Sequence, residues 1–306
     1  MGLRIVSLLP SATEIVCALG AEEELVGISH ECDFPVSVAA RPVLTHARLD
    51  PHVTSRGIDA ALRAVVRDAL GIYAIDEAGL AAAAPDVIVT QDLCEVCAVS
   101  LDDVRAAVAR LTHRERVEIV SLRPTRLGDV LGDVERIGNA IGRASEGRTL
   151  AGELRGRLDA IAERARSVGS RPTVVTVEWI DPIMLGGTWM PELIDLAGGR
   201  PLGAEAGAVA PTVSPAELAA LRPDVVLVKP CGFSLARTLT ERAVVERTIV
   251  GAVTAPARVY ATDGNAFFNR PGPRLVESLE ILAACVHPDA FADLALKHAA
   301  VINRLA

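Results

Sequence analysis

The sequence predicts an α/β protein of two lobes joined by one long helix, and three observations carry that expectation. Short apolar, β-branched runs alternate with helical periodicities along the 306 residues, the pattern of βαβ units and a largely parallel sheet. A block beginning near Thr125 keeps helical spacing for longer than a crossover between two strands needs. A Pro-Asp turn leading into an apolar strand occurs once in each half, at Pro85-Asp86 and Pro223-Asp224.

Taken in order, residues 4–9 (RIVSLL) read as a buried strand that Pro10 ends. Residues 11–14 (SATE) offer a capping box for a helix closing at Gly20, a favourable residue just past a helix end. Residues 25–28 (LVGI) form a second strand running into the polar loop 29–35 (SHECDFP). Residues 87–89 and 117–120 supply later strands. From Leu127 apolar residues recur through Val130, Leu131, Val134, Ile137 and Ile141. After a weak point at residues 142–147 they continue through Leu150, Leu154, Leu158 and Ile161. That is about forty residues of helix. Pro172 ends it, and strands resume at residues 173–177, 225–228 and 258–261. The expected domains are a first lobe over residues 1–123, a connecting helix over 124–169 and a second lobe over 170–306. Residues 85–94 (PDVIVTQDLC) match residues 223–231 (PDVVLVKPC), so each lobe carries a cysteine just past an equivalent strand.

Half of the residues are hydrophobic, enough for a sizeable core, while aromatics make up only 3%. A net charge of −8 argues against a nucleic-acid partner, which requires a basic face. No apolar run approaches the length of a membrane span. The N-terminal apolar run is interrupted by Pro10 and the charged Glu14, so it does not read as a secretory signal. The expected location is cytoplasmic, or periplasmic or extracellular if the chain is a processed form.

Open α/β sheets bind ligands at the carboxyl ends of their strands, and Cys32, Cys94, Cys97 and Cys231 all lie just past such ends. Four converging thiolates suit a tetrahedral zinc or an iron–sulfur cluster, with metal–sulfur distances of about 2.3 Å. A redox-active or unliganded pair at Cys94 and Cys97, or simple packing, are the alternatives. Cys17 and Cys285 fall on helices and read as core. His30 lies two residues from Cys32 and is placed to meet the same ligand or to cap its loop; His46 is a candidate axial ligand for a cobalt or haem iron. His52, His113, His287 and His298 lie in helical or turn-rich stretches and read as solvated. Trp179 and Trp189 flank a Gly-Gly turn and form either a stacking wall or core. Residues 265–270 (NAFFNR) follow a strand end, so Asn265, Phe268 and Arg270 are candidates to meet the rim of a ligand. No GxSxG, P-loop or HExxH motif occurs, which leaves no support for an enzyme beyond cluster- or thiol-based redox or sulfur chemistry.

Residues 4–14 (RIVSLLPSATE), Leu19-Gly20, residues 26–29 (VGIS) and Asp33-Phe34-Pro35 resemble the cobalamin-binding proteins of the BtuF type. The two Pro-Asp strands, the long helix, residues 192–199 (ELIDLAGG) and residues 270–274 (RPGPR) extend the likeness over essentially the whole chain. Such proteins are substrate-binding components of ABC importers that handle corrinoids, haem and ferric siderophores. The resemblance implies two Rossmann-like lobes with parallel sheets, a helical backbone and a ligand cleft between the lobes. It implies a non-enzymatic protein that captures a corrinoid (cobalamin-like) ligand or a related metal chelate. Its partner would be an ABC permease, docked through acids such as Glu77 in the first lobe and Glu192 or Asp195 in the second. The sequence departs from the family in its loops, where Cys, His and acids stand in place of aromatics. Trp179, Trp189, Phe233, Phe267 and Phe268 remain as cleft candidates. The competing expectation is a cytosolic zinc or iron–sulfur protein in which Cys32, Cys94, Cys97 and Cys231 clamp the lobes.

Overall fold

The computed structural model describes residues 2–47, 53–67, 73–91, 101–109, 117–253 and 256–306. Its strands are β1 (Ile5–Ser7), β2 (Leu25–Ile28), β3 (Thr45–Ala47), β4 (Tyr73–Ile75), β5 (Val87–Gln91), β6 (Glu118–Leu122), β7 (Thr173–Trp179), β8 (Ile183–Leu185), β9 (Arg200–Pro201), β10 (Thr212–Val213), β11 (Val225–Val228), β12 (Arg258–Thr262) and β13 (Ile302–Arg304). The α-helices are α1 (Pro10–Ala18), α2 (Ser55–Arg67), α3 (Glu77–Ala83), α4 (Leu101–Ala109), α5 (Leu127–Ala140), α6 (Ala144–Ser167), α7 (Met190–Leu196), α8 (Pro215–Leu221), α9 (Leu235–Thr240), α10 (Arg242–Val245), α11 (Leu275–Val286) and α12 (Ala292–Lys297). The chain divides into two compact units. The first holds Met1–Val53, Ala60–Pro124 and Gly128–Glu153; the second holds Thr54–Asp59, Thr125–Leu127 and Leu154–Ala306.

In the first unit the sheet order is β2-β1-β5-β6, parallel throughout. Strands covered by helices on both faces must be apolar on both faces, and Ile5, Val6, Ile88 and Val89 are fully buried. Val6, Leu8, Leu44, Leu80, Ile88 and Val104 pack into one cluster, each such side chain contributing about 1.5–3 kcal/mol when fully buried. The second unit repeats the plan in a larger mixed sheet, β10-β8-β7-β11-β12-β13, with β9 also paired to β7. β7, β11 and β12 run parallel at its centre, and Val175, Val177, Val226, Val228 and Val259 fill its core.

The two Pro-Asp turns do the same work in both units. α3 and α8 each end in a left-handed residue, Ala84 (φ 42°) and Arg222 (φ 49°). The chain then turns through Pro-Asp into β5 or β11. The Asp86 carboxylate accepts from the Arg4 amide at 2.9 Å, and the Asp224 carboxylate accepts from the Thr173 amide at 2.7 Å. Each aspartate thus satisfies an amide at the start of the neighbouring central strand, Arg4 just before β1 and Thr173 the first residue of β7.

Two local expectations change. The capping box at Ser11 does not form: α1 starts at Pro10 after an uncapped Leu9, because proline is already suited to the first helical position. Ser11, Thr13 and Glu14 are buried instead. The long apolar repeat is two helices, with α6 the long one at 24 residues. The break falls at Gly142 (φ 73°). α5 and α6 then approach so closely that a Cβ on Gly138 would lie 3.0 Å from Gly147 Cα. The weak point in the repeat is therefore a corner, with glycine at the crossing. Among the described residues no helix is long and apolar enough to cross a membrane.

Candidate functional site

Because β7, β11 and β12 are parallel and adjacent, the loops that follow them emerge along one edge of the second sheet. Residues 229–234 and 263–270 lie there, with Glu178 and Trp179 at the end of β7. Gly264 lets the last two loops meet: a Cβ there would sit 2.1 Å from the Pro230 carbonyl oxygen. The Gly264 and Asn265 amides both donate to the Phe233 carbonyl, at 2.9 and 3.0 Å.

A polar staple crosses this edge. Lys229, fully buried, donates from Nζ to Asn269 Oδ1 at 2.7 Å and to Glu178 Oε2 at 3.2 Å. Asn269 Nδ2 donates in turn to the Lys229 and Gly264 carbonyls at 3.0 and 2.8 Å. A buried ammonium is tolerated only with such partners. One group from each of three successive parallel strand ends is therefore fixed.

The aromatics sort into two kinds. Trp179 is half-buried and packs against Phe233 with ring centroids 5.3 Å apart. The Arg237 guanidinium lies 4.2 Å over the Phe233 ring, a cation–π arrangement. Phe233, Trp189 and Phe268 belong to the core: they are 4%, 5% and 0% exposed, and Trp189 Nε1 donates to the Phe268 carbonyl at 2.9 Å. Their burial overturns the expectation that these three offer stacking faces to a ligand. Phe268 adopts φ 68°, which turns its ring inward while its backbone shapes the loop. Arg270, 8% exposed, donates to Asn265 Oδ1 at 3.1 Å. Phe267 is half-buried, with its ring edge-on to His298 at 6.3 Å.

In the first unit, His30 is exposed just past β2. Its Nδ1 lies 2.7 Å from Thr45 Oγ1, and its ring is 5.0 Å from Tyr73. Burial of part of the ring lowers its pKa, with Glu31 opposing and His46 adding to the shift. The neutral imidazole is thus favoured. In the tautomer whose Nδ1–H donates to Thr45 Oγ1, Nε2 carries the lone pair that a metal would require. His46 is exposed on β3, opposite Ala74. Sequence reasoning missed Phe34, the exposed aromatic of the same loop at 43% exposure. Its signal was position, since it follows β2 within the polar loop 29–35.

The sulfur expectations fare differently. Cys94 and Cys97 lie outside the described residues. Cys32 is buried, and its Sγ accepts from Thr13 Oγ1 at 3.0 Å. Cys231 is a half-buried free thiol beyond β11, and Cys285 is buried core. Cys17 is half-buried on α1, and burial pushes its thiol up to about 12. Among the described residues no three His, Cys, Asp or Glu side chains gather as a metal site. The iron–sulfur expectation finds no support.

Two histidines read as solvated are in fact buried. His287 Nε2 sits 3.3 Å from the Gly198 carbonyl, and His298 Nε2 sits 2.7 Å from Glu280 Oε2. Of the expected docking acids, Glu77 is exposed in the first turn of α3. Asp195 pairs with Arg171. Glu192 accepts the Leu127 amide at 2.7 Å and so holds the start of α5.

Two α/β units with central parallel strands, joined in sequence through a 24-residue helix, form the architecture of two-lobed substrate-binding proteins. Residues 5–258 match the family described as periplasmic binding protein, and the chain belongs to that family. Among solved structures, it is similar to the periplasmic haem-binding protein RhuT from Roseiflexus sp. RS-1, with 22% identity, 96% of this chain and 100% of that one covered, and a TM-score of 0.66. It is also similar to the vitamin B12 binding protein BtuF of Vibrio cholerae, with 19% identity, 95% and 97% covered, and a TM-score of 0.64. An ABC transporter substrate-binding protein from Listeria monocytogenes EGD-e matches with 16% identity, 94% and 100% covered, and a TM-score of 0.69. At these identities the likeness is one of fold. No curated protein matches the chain.

The family is one of ligand-binding proteins that work with ABC permeases, and not of enzymes. Membership also overturns the expected cytoplasmic location, because the family and its structural neighbours are periplasmic. The apolar residues Ile5–Ser7 form β1 at the centre of the first sheet.

Proposed function

We propose that this protein captures a corrinoid, or a closely related flat metal chelate, for delivery to an ABC permease. The observation that carries the reading is Trp179, half-buried at the carboxyl edge of the second sheet and supported from behind by the buried Phe233 ring. A partly exposed indole held by an aromatic neighbour suits the broad face of a conjugated macrocycle. Asn265 and Arg270, on the adjacent loop, are the proposed contacts to its rim. His30 and His46 are the proposed nitrogen donors in the first unit. Relatives of the same fold are described as binding haem and vitamin B12, which supports the ligand class.

The test is titration of the purified protein with cyanocobalamin and, separately, hemin, followed by absorbance and calorimetry. Saturable equimolar binding of cyanocobalamin is expected, weakened on the order of tenfold by Trp179→Ala. Saturation with hemin and no response to cyanocobalamin would reject the corrinoid assignment.

A further inference from the structure

The Lys229 staple leaves one ligand-competent atom at the sheet edge. Glu178 Oε2 is engaged by Lys229 Nζ at 3.2 Å and by the Gly187 amide at 3.4 Å. Among the described residues Oε1 makes no hydrogen bond, and the side chain is 26% exposed. Lys229 is fully buried and cannot reach a ligand itself. Its effect is to hold the glutamate in one orientation, next to Trp179. An ionised carboxylate oxygen accepts hydrogen bonds and donates none. The group presented at the carboxyl end of β7 is therefore a fixed acceptor.

We propose that Glu178 is a specificity-determining residue, selecting ligands whose periphery carries N–H donors, such as carboxamides, over those carrying carboxylates. This rests on the corrinoid reading and sharpens it, since a corrinoid rim is rich in carboxamides while the haem rim bears carboxylates. A rim carboxamide donates to Oε1, whereas a rim carboxylate sets oxygen against oxygen with no proton between. Discrimination by an unpaired polar group is stronger than discrimination by shape alone.

The experiment compares cyanocobalamin with its peripheral monocarboxylate derivatives, in which one side-chain amide is hydrolysed, on the wild type and on Glu178→Gln. In that variant Lys229 Nζ and Gly187 N–H are both donors, so they hold the amide oxygen inward and turn its NH2 outward. The presented group changes from acceptor to donor. The wild type should prefer cyanocobalamin over at least one monocarboxylate by about tenfold, and the variant should abolish or reverse that preference. Equal preference in the two proteins, each folded by circular dichroism, overturns the role of Glu178 and leaves the corrinoid reading standing. If the wild type binds neither probe, that reading fails and this inference falls with it.

Discussion

Asp224 and Thr173, 51 residues apart, are joined by four hydrogen bonds. The aspartate carboxylate accepts the threonine amide at 2.7 Å and its hydroxyl at 2.8 Å, and the Asp224 amide donates to both the hydroxyl and the carbonyl oxygen of the threonine at 2.9 Å. These bonds lock the starts of β7 and β11 in register and hold the carboxyl below its ordinary value of 3.8. Asp224→Ala should cost about 1–2 kcal/mol in urea unfolding near neutral pH. A depressed carboxyl stabilises above its unfolded pKa and loses that contribution as pH falls through the folded value. The difference between wild type and variant should therefore shrink below pH 3.8. Because the carboxylate is exposed, solvent screening keeps the pH-dependent part small.

Ala84 and Arg222, the left-handed ends of α3 and α8, have φ of 42° and 49°. A side chain there is strained where glycine is not. Ala84→Gly and Arg222→Gly should each raise stability by about 0.5–1 kcal/mol, read as a higher unfolding midpoint with unchanged slope.

Glu280 gathers Lys297 (2.6 Å), His298 (2.7 Å) and Arg157 (3.6 Å). Burial pushes its carboxyl up, but the hydrogen bonds from His298 and Lys297 outweigh that and hold it at about 2. Glu280→Gln removes the carboxylate that accepts from the half-exposed Lys297 and from the buried His298, a loss of about 1–2 kcal/mol at pH 7. The wild-type advantage should persist above pH 4.5 and fade as pH drops towards 2, measured as thermal midpoints across that range.

Asp133 shows the opposite sign. It is 1% exposed on α5, with Arg136 3.3 Å from one oxygen and, among the described residues, no hydrogen-bond partner for the other. Burial pushes its carboxyl up to about 6; Arg136 partly offsets this and Asp129 adds to it. Ionisation of the buried group opposes folding, so the penalty is absent below pH 3.8 and complete above pH 6. Asp133→Asn should stabilise by about 1–3 kcal/mol at pH 7.5 and by little at pH 4. Denaturant titrations at the two pH values give the comparison.

The sheets were legible because strands buried on both faces are written as apolar runs, and because the Pro-Asp turn recurs with the same hydrogen bond at Asp86 and Asp224. What escaped depends on partners distant in sequence. His287 reads as a surface residue until Gly198 is brought to it across 89 positions, and Trp189 reads as a stacking wall until the Phe268 carbonyl takes its N–H. Lys229 carries no sequence mark beyond following four valines and leucines, so its staple to Asn269 was invisible. The loop that carries His30 was visible, but the exposure of Phe34 within it was not.

The differing burial of the two indoles gives the protein an optical consequence. Trp189 sits sealed in the core with its N–H bonded, while Trp179 is half-buried at the sheet edge. With no third tryptophan in the chain, emission from the edge indole is a native probe of occupancy. A bound chromophore should quench that component and spare the other, and Trp179→Phe should leave a steady fluorescence that no longer answers to ligand.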